Sequence, residues 1–594
     1  MNTELIKFFK SALVKNESNS VDPISLNTLA AKHGYIIHPD CCTTDVKEFI
    51  ESISWNPNST FYKTIEDVTS KSRLELLVDQ LIHYSTTYGS NFEDNTYIPN
   101  DEPLKIEYNT YTVIQPITKE ELYKKCFDLI CSGIALQYNT VNVLCEYILE
   151  NEKSIDVDSI KNKEAQVIIC RALNKYPEDP VAFLRLLVYI AIGETLLIKS
   201  SELINCISYC GTFVDFSIYN DNELEKLSTI FYRFKPIFLA FKKQNSLNVY
   251  PINKIRRFAK KHHKPMVTGF WEKVLSTEYP VSLIQNQALK LTDNFKIIKL
   301  LQSIKDKALM NLEESPRSLY IIRNGKAYNK EHNGKFDVMY LNGVYNILFD
   351  RLVKNIKDKS CVVKFPKYLN LTCPVSEKQF IGNIPYGSSY HLSYDNYIGI
   401  YWRNEWGTRD FDLSLITTDG QKLGWNSGFR KGNEVVYSGD MTNANPEASE
   451  LFYIAKGVED SIIKVNRFNG EEGSKYKLYF GRENIKEVSR NYMVDPNSIE
   501  LEEIIESDNA EQMIAFISDN NIYFTKLTTG NNIVSSRNNV MIDIMKRKMQ
   551  TYVDLKEVLL EAGFQEYNPE IHEKIDLDLT DLNKDTLIDL FTTK

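Results

Sequence analysis

YIGIYWRNEWGTRDFDLSLITTDGQKLGWNSGFRKGNEVVYSGDMTNANPEASELFY, residues Tyr397 to Tyr453, is the stretch on which the reading of the chain turns. Within it, Asp410-Phe411-Asp412-Leu413-Ser414-Leu415 alternates polar with apolar side chains at period two. In a strand, that period sets both carboxylates on one face and the apolar residues on the other. Asp419-Gly420 then predicts a hairpin turn. Two like charges about 7 Å apart on one strand face repel each other, so an Asp-x-Asp pair makes most chemical sense with a cation between the two. Hard carboxylate oxygens of this kind suit Ca2+ or Mg2+. An isolated Asp-x-Asp is also what a half-exposed strand with two solvated aspartates looks like, so the residues around it have to decide.

Some twenty residues after DFDLSLITTDG comes VVYSGDMT. Together the two segments resemble the bacterial TerD family of tellurium-resistance and stress proteins. Those are calcium-binding β-sandwiches with an Asp-rich strand followed by a turn of the type (H/Y)SGD-x-x-T. The matching positions are Asp410, Asp412, Ser414, Ser438, Gly439, Asp440 and Thr442. The resemblance extends through Pro374 to Lys378, Ile384 to Gly387, Gly399 to Trp402 and Ala448 to Glu450. The whole chain looks like the larger bacterial proteins in which a long helical region precedes a TerD-like domain. What the resemblance implies is a Ca2+ site formed by Asp410, Asp412 and Asp440, with Glu450 as a further oxygen donor. It departs from the family pattern after Asp440, where Asn443-Ala-Asn-Pro-Glu447 replaces the usual Gly- and acid-rich continuation. Calcium takes about six to eight oxygens, so carboxylates missing there weaken the expected site.

A chain of 594 residues has room for two to four domains. Its 43% hydrophobic and 25% charged residues are those of an ordinary globular protein, which excludes wholesale disorder. A net charge of −9 argues against a protein dominated by nucleic-acid binding, though not against a local basic face. The start, MNTELIKFFKSALVKN, reads as an amphipathic helix without the apolar core and cleavage site of a secretory signal. The most apolar run, Ala182 to Ile198, is short for a membrane span and is broken by Arg185 and Glu194. The ten cysteines are scattered and form no CxxC pair, which predicts reduced core thiols in a cytoplasmic protein and no zinc.

In order, residues 1–93 are expected to be a helical region and 94–117 a linker, where Pro99, Pro103 and Pro116 break the pattern. Thr118-Lys-Glu-Glu121 has the spacing of a capping box and restarts the helices. Residues 118–315 then read as an antiparallel helical array with short connections and no strict repeat. From Ser318 short strands with Gly, Pro and Asn turns predict a sandwich over 316–540, and 541–594 return to helices, beginning with one over Val540 to Ala562. The expected fold class is therefore α+β and multidomain: an all-α N-terminal array, a TerD-like β-sandwich and C-terminal helices.

Outside the sandwich, Lys254, Arg256, Arg257, Lys260, Lys261, His262, His263 and Lys264 form the one concentrated basic segment. Lys254, Arg257 and Lys261 share a helical face that suits phosphates, as it also suits a solvated face balanced by nearby acids. Asp576 and Asp578 repeat the Asp-x-Asp spacing but lead into a terminal helix, whose N-end favours negative charge. The sequence has no G-x-x-x-x-G-K-[ST], no G-x-G-x-x-G opening a helix, no H-E-x-x-H and no G-x-S-x-G. Cys126 and Cys131 lack an evident base partner, and His262-His263 point about 100° apart on a helix. The expected function is a non-enzymatic, cytoplasmic stress-response protein whose calcium-binding module sits on a helical scaffold and meets a partner protein, with no membrane contact. A second reading makes the array an RNA-binding scaffold through Lys254 to Lys264. A third, a hydrolase acting through a metal at the sandwich, ranks last because no nucleophile or general base is evident.

Overall fold

The computed structural model describes the chain except residues 1–2, 17, 32, 54, 56, 63–67, 89–110, 153, 196–197, 263–268, 277, 312–317, 324–325, 332–336, 357–360, 393–394, 433, 445–446, 472, 484–493, 495–497, 508–509, 529–537 and 593–594. Helices dominate the N-terminal half and strands the C-terminal half. Among the described residues, no helix is long and apolar enough to cross a membrane.

The N-terminal region contains helices α1 (Thr3–Phe9), α2 (Pro23–Ala31), α3 (Thr44–Ile53) and α4 (Arg73–Tyr88). It is not all-α, as expected, because it also holds a small parallel sheet. Strands β1 (Ser11–Leu13), β2 (Tyr35–Ile37) and β3 (Thr112–Ile117) lie in the order β1-β3-β2. These runs of three to six residues carry too short an apolar pattern to be told from helix ends by periodicity. Ile6, Ala12, Leu26, Ile37, Phe49 and Ile114 close a core between this sheet and the first three helices. The end of the expected 94–117 linker is thus the central strand of a sheet, while 94–110 lie outside the described residues.

Helix α5 (Lys119–Cys131) starts with the capping box read from sequence: Thr118 Oγ accepts from Glu121 N–H at 3.2 Å, and Thr118 N–H donates to the Glu121 carboxylate at 3.0 Å. It is followed by α6 (Tyr138–Asn151), α7 (Lys163–Leu173) and α8 (Pro180–Ile192), each packed on the one before. Next come α9 (Ser201–Tyr209), α10 (Asp221–Ser228), α11 (Lys235–Gln244) and α12 (Val249–His262). There the pairing skips one element, α9 against α11 and α10 against α12, which departs from a simple stack. Helices α8 to α12 share a core of their own, built on Phe183, Leu187, Phe216, Phe238 and Ile255. The longer α13 (Asn294–Asn311) and α14 (Val338–Ile356) pack against each other.

Two antiparallel sheets follow. The first is ordered β8-β7-β12-β15-β16-β5-β4, from β4 (Leu369–Asn370), β5 (Ser389–His391), β7 (Thr408–Thr417), β8 (Lys422–Leu423), β12 (Ser461–Gly470), β15 (Glu511–Ser518) and β16 (Asn521–Thr528). The second is β9-β10-β11-β6-β13-β14, from β6 (Asp395–Trp402), β9 (Arg430–Lys431), β10 (Val435–Tyr437), β11 (Ala448–Ile454), β13 (Ser474–Glu483) and β14 (Ile499–Ser507). They face each other through aromatic contacts, with Phe411 of the first against Trp402 and Tyr476 of the second at 6.0 and 5.2 Å between ring centroids. The sandwich core is continuous with that of α5 to α7. At this seam buried Glu377 accepts from Gln137 N–H at 2.5 Å and Thr140 Oγ–H at 2.9 Å. The helical array and the sandwich are therefore joined by a packed interface.

The helix expected over Val540 to Ala562 is two, α15 (Asn538–Gln550) and α16 (Leu555–Glu561). The break lies where the chain runs extended beside Leu371 to Cys373: Cys373 N–H donates to Val553 O at 2.8 Å and Leu555 N–H to Leu371 O at 2.9 Å. Asp554 then caps α16 by accepting from Glu557 N–H at 2.7 Å. The C-terminal part also carries two short strands, Gln565–Glu566 and Leu577–Asp578, which flank Val362–Lys364 in parallel. Helix α17 (Lys584–Phe591) ends the described chain.

Candidate metal centre

Among the described residues, the β7 positions that pair with β8 are Leu415 and Ile416, so the first part of β7 forms an edge of its sheet. Phe411, Leu413 and Leu415 point into the sandwich core and are fully buried. The alternate positions bring the Asp410 and Asp412 carboxylates toward the loop between β10 and β11, where Asp440 sits. One oxygen from each of Asp410, Asp412 and Asp440 lies within 4.8 Å of the other two, and the three residues are only 2–3% exposed. Solvated aspartates on a half-exposed strand, the bland reading of the motif, are not what the fold contains.

Glu450, expected as a fourth ligand, has a different task. It is fully buried on β11, and one oxygen accepts from Leu413 N–H at 2.8 Å and Tyr437 Oη–H at 2.6 Å. Its other oxygen accepts from Met441 N–H at 2.9 Å. Glu450 thereby caps the open edge of β7 and holds the Ser438–Thr442 turn against it. It is not in the group of three, and three hydrogen bonds from the scaffold already engage its two oxygens.

The electrostatics follow from this crowding. Burial, then the charges of Asp410 and Asp440, push the Asp412 carboxyl up to about 8, against the opposing hydrogen bond from Asn466 and the charge of Lys422. Burial, then Asp440 and Asp412, also raise Glu450 well above the usual carboxylate range. Three carboxylates so close and so dry cannot all stay ionised unaided; a proton or a cation has to offset them. The donor set fits a hard divalent ion. It contains carboxylate oxygens and no sulfur or imidazole, which suits Ca2+ or Mg2+ over zinc or copper. Asp410, Asp412 and Asp440 would hold such an ion, with part of a calcium shell left to further oxygens.

Sequence reasoning did not anticipate what closes the site. Residues 57–62 and 68–83 of the N-terminal region form a strap across the turn. Tyr62 N–H donates to Ser438 O at 2.9 Å, and Ser449 N–H donates to Ser59 O at 2.7 Å. On α4, the Gln80 side-chain amide bonds both main-chain groups of Asp440, receiving its N–H at 3.3 Å and donating to its carbonyl at 3.1 Å. His83 Nε2 lies 2.9 Å from Thr442 Oγ. Gly439 has φ +88°, and a Cβ there would stand 2.9 Å from the rings of Phe61 and Tyr62. Only glycine suits both that backbone and that close approach. Gln80 and His83, three apart, share one face of α4, yet nothing local marks that spacing as a lock on a turn some 360 positions away.

Gln80→Ala strips two buried main-chain groups of this bonding. It is expected to cost about 2 kcal/mol in urea unfolding, with the m-value unchanged. A variant as stable as the parent would show that the strap adds nothing to the turn.

The other sequence candidates lie apart from this cluster. Lys254 of α12 pairs with Asp221, while Arg257 and Lys261 are exposed; residues 263 and 264 lie outside the described residues. Asp576 accepts from Val362 N–H at 2.9 Å, and Asp578 pairs with Lys364 at 3.1 Å, which are structural tasks. Cys126 is a buried thiol, raised by burial to about 12. Compared with known proteins, the chain has no match among family models, curated proteins or solved structures.

Proposed function

We propose that this is a cytoplasmic, non-enzymatic, calcium-binding protein of the TerD-like kind, acting in a tellurium- or general-stress response. Asp410, Asp412 and Asp440 hold the ion, and the helical scaffold carries the surface that meets a partner protein. The observation that carries this reading is the buried trio, with oxygens from three carboxylates within 4.8 Å of one another. Each buried carboxylate is costly alone, and a divalent cation is the simplest partner that makes all three favourable together. The ion would supply charge neutralisation and ordering of the Ser438–Thr442 turn. The non-enzymatic part rests on the lack of a recognisable nucleophile or general-base motif in the sequence.

The direct test is the metal content of the purified full chain by mass spectrometry, followed by calorimetric titration of the chelated protein with Ca2+. One equivalent bound, lost in Asp410→Asn with Asp440→Asn, is the expected result. No heat and no bound metal at millimolar Ca2+ would refute the reading.

A further inference from the structure

Between Glu225 and Glu272 the chain carries eleven Lys or Arg and no Asp or Glu, in a protein with 79 acidic residues overall. This stretch includes α11 and α12, which belong to the separate core of α8 to α12. Helix α12 turns Ile252, Ile255 and Ala259 inward. Its other face exposes Asn253, Arg256, Arg257, Lys260 and Lys261, and the last four have no ion pair among the described residues. Among the described side chains, Lys254 is the one basic residue of the helix in an ion pair, with Asp221. The C-terminal dipole of α12 favours Lys260 and Lys261, but not Arg256 and Arg257 in the middle turns.

The basic face continues across α11. Lys242 Nζ donates to Asn253 Oδ1 at 3.0 Å, and Lys243 Nζ stands 4.2 Å from the ring centre of Tyr209. Tyr209 and Tyr250 are 70% and 69% exposed. Tyr250, Asn253, Arg257 and Lys261 fall on one stripe at helical spacing. From Tyr250 to Lys261 the stripe runs about 16 Å, and the step to α11 adds about 8–10 Å.

We propose that this face of α11 and α12 binds single-stranded nucleic acid, with Arg256, Arg257, Lys260 and Lys261 on the phosphates and Tyr250 and Tyr209 as stacking platforms. Unpaired cations in a row gain by releasing the counter-ions condensed on a phosphate chain. Exposed rings beside them offer each unstacked base a flat apolar surface, which a duplex does not supply. A net charge of −9 repels a polyanion elsewhere on the molecule and confines the contact to this face.

The test is fluorescence anisotropy of a labelled 20-nucleotide oligouridylate with the full chain, in chelator so that the outcome does not depend on the acidic cluster. Four phosphate contacts predict a loss of affinity of about 50-fold between 50 and 200 mM salt. Arg256→Ala with Arg257→Ala should reduce that loss to about 7-fold as well as weaken binding. Tyr250→Ala should weaken binding at least about fivefold at either salt. All substituted positions are exposed, so circular dichroism melts should match the parent. Absence of binding at 50 mM salt, equal affinity for a duplex, or equal binding by the doubly substituted chain would overturn the proposal. So would binding of phosphatidylserine vesicles through the same residues without binding of the oligonucleotide.

Discussion

Millimolar Ca2+ is expected to raise the melting temperature by about 3 °C over the same protein in chelator. Asp410→Asn with Asp440→Asn should remove the whole shift. A ligand at one hundred times its dissociation constant stabilises the native state by about 2.7 kcal/mol. The sandwich shares one core with the helices packed on it, and in a cooperative unit of about 400 residues each kcal/mol moves the midpoint by about 1 °C. The substitutions also make a second expectation that a mere loss of packing would not. Asn is close to Asp in shape but uncharged, and the Asp410 and Asp440 charges, whose repulsion helps keep Asp412 protonated in chelator, vanish. The double variant in chelator should therefore melt at or above the parent, not below it. Two results would count against the cation site: a parent melt indifferent to Ca2+, or a double variant that still responds to it. A double variant that melts well below the parent in chelator would mean that the carboxylates are stabilised by protein groups.

Strand β7 shows how far the sequence could be read. The alternation of Asp410 to Leu415 placed both carboxylates on one face correctly, because side-chain direction in a strand is a local property. Whether that face meets water is not local. Phe411, Leu413 and Leu415 filled the expected core, while the Asp face was closed by Asp440, Glu450 and the strap. Glu450 looked like a ligand by its acidity. Its role as a cap depends on β7 having an open edge at Leu413, which follows from the shortness of β8. The N-terminal sheet escaped for a related reason. Tyr35–Ile37 and Thr112–Ile117 are short apolar runs that become strands only by pairing across a long separation. Capping, by contrast, spans four residues, and the box at Thr118–Glu121 was legible as written.

In chelator, stability is expected to fall as the pH is raised from about 5.5 to about 8. The Asp412 carboxyl has its pKa pushed up to about 8 in the folded protein by burial and by Asp410 and Asp440, against an ordinary value of 3.8. Over that interval the folded chain keeps a proton that the unfolded chain has given up. Its stabilising effect is complete below about pH 4 and is lost as the pH rises through about 8. The slope for one such proton is about 1.4 kcal/mol per pH unit, and Glu450, raised in the same direction, adds to it. Carboxyls held low have the opposite sign and act at more acid pH: against burial, Lys477 and Lys7 hold Glu502 down, and Lys584 and Lys526 hold Glu503 down. Saturating Ca2+ should flatten the curve, because the cation replaces the proton as the compensating charge. The gap between the calcium and chelator curves should then widen with pH, and calcium affinity should rise with it. Asp412→Asn isolates the effect from every other titratable group of the chain. Urea unfolding at pH 5.5, 6.5 and 7.5 should show the falling slope in the parent and most of it gone in Asp412→Asn. If parent and variant lose stability in parallel, the proton is held elsewhere and the buried trio is not the source of the pH dependence.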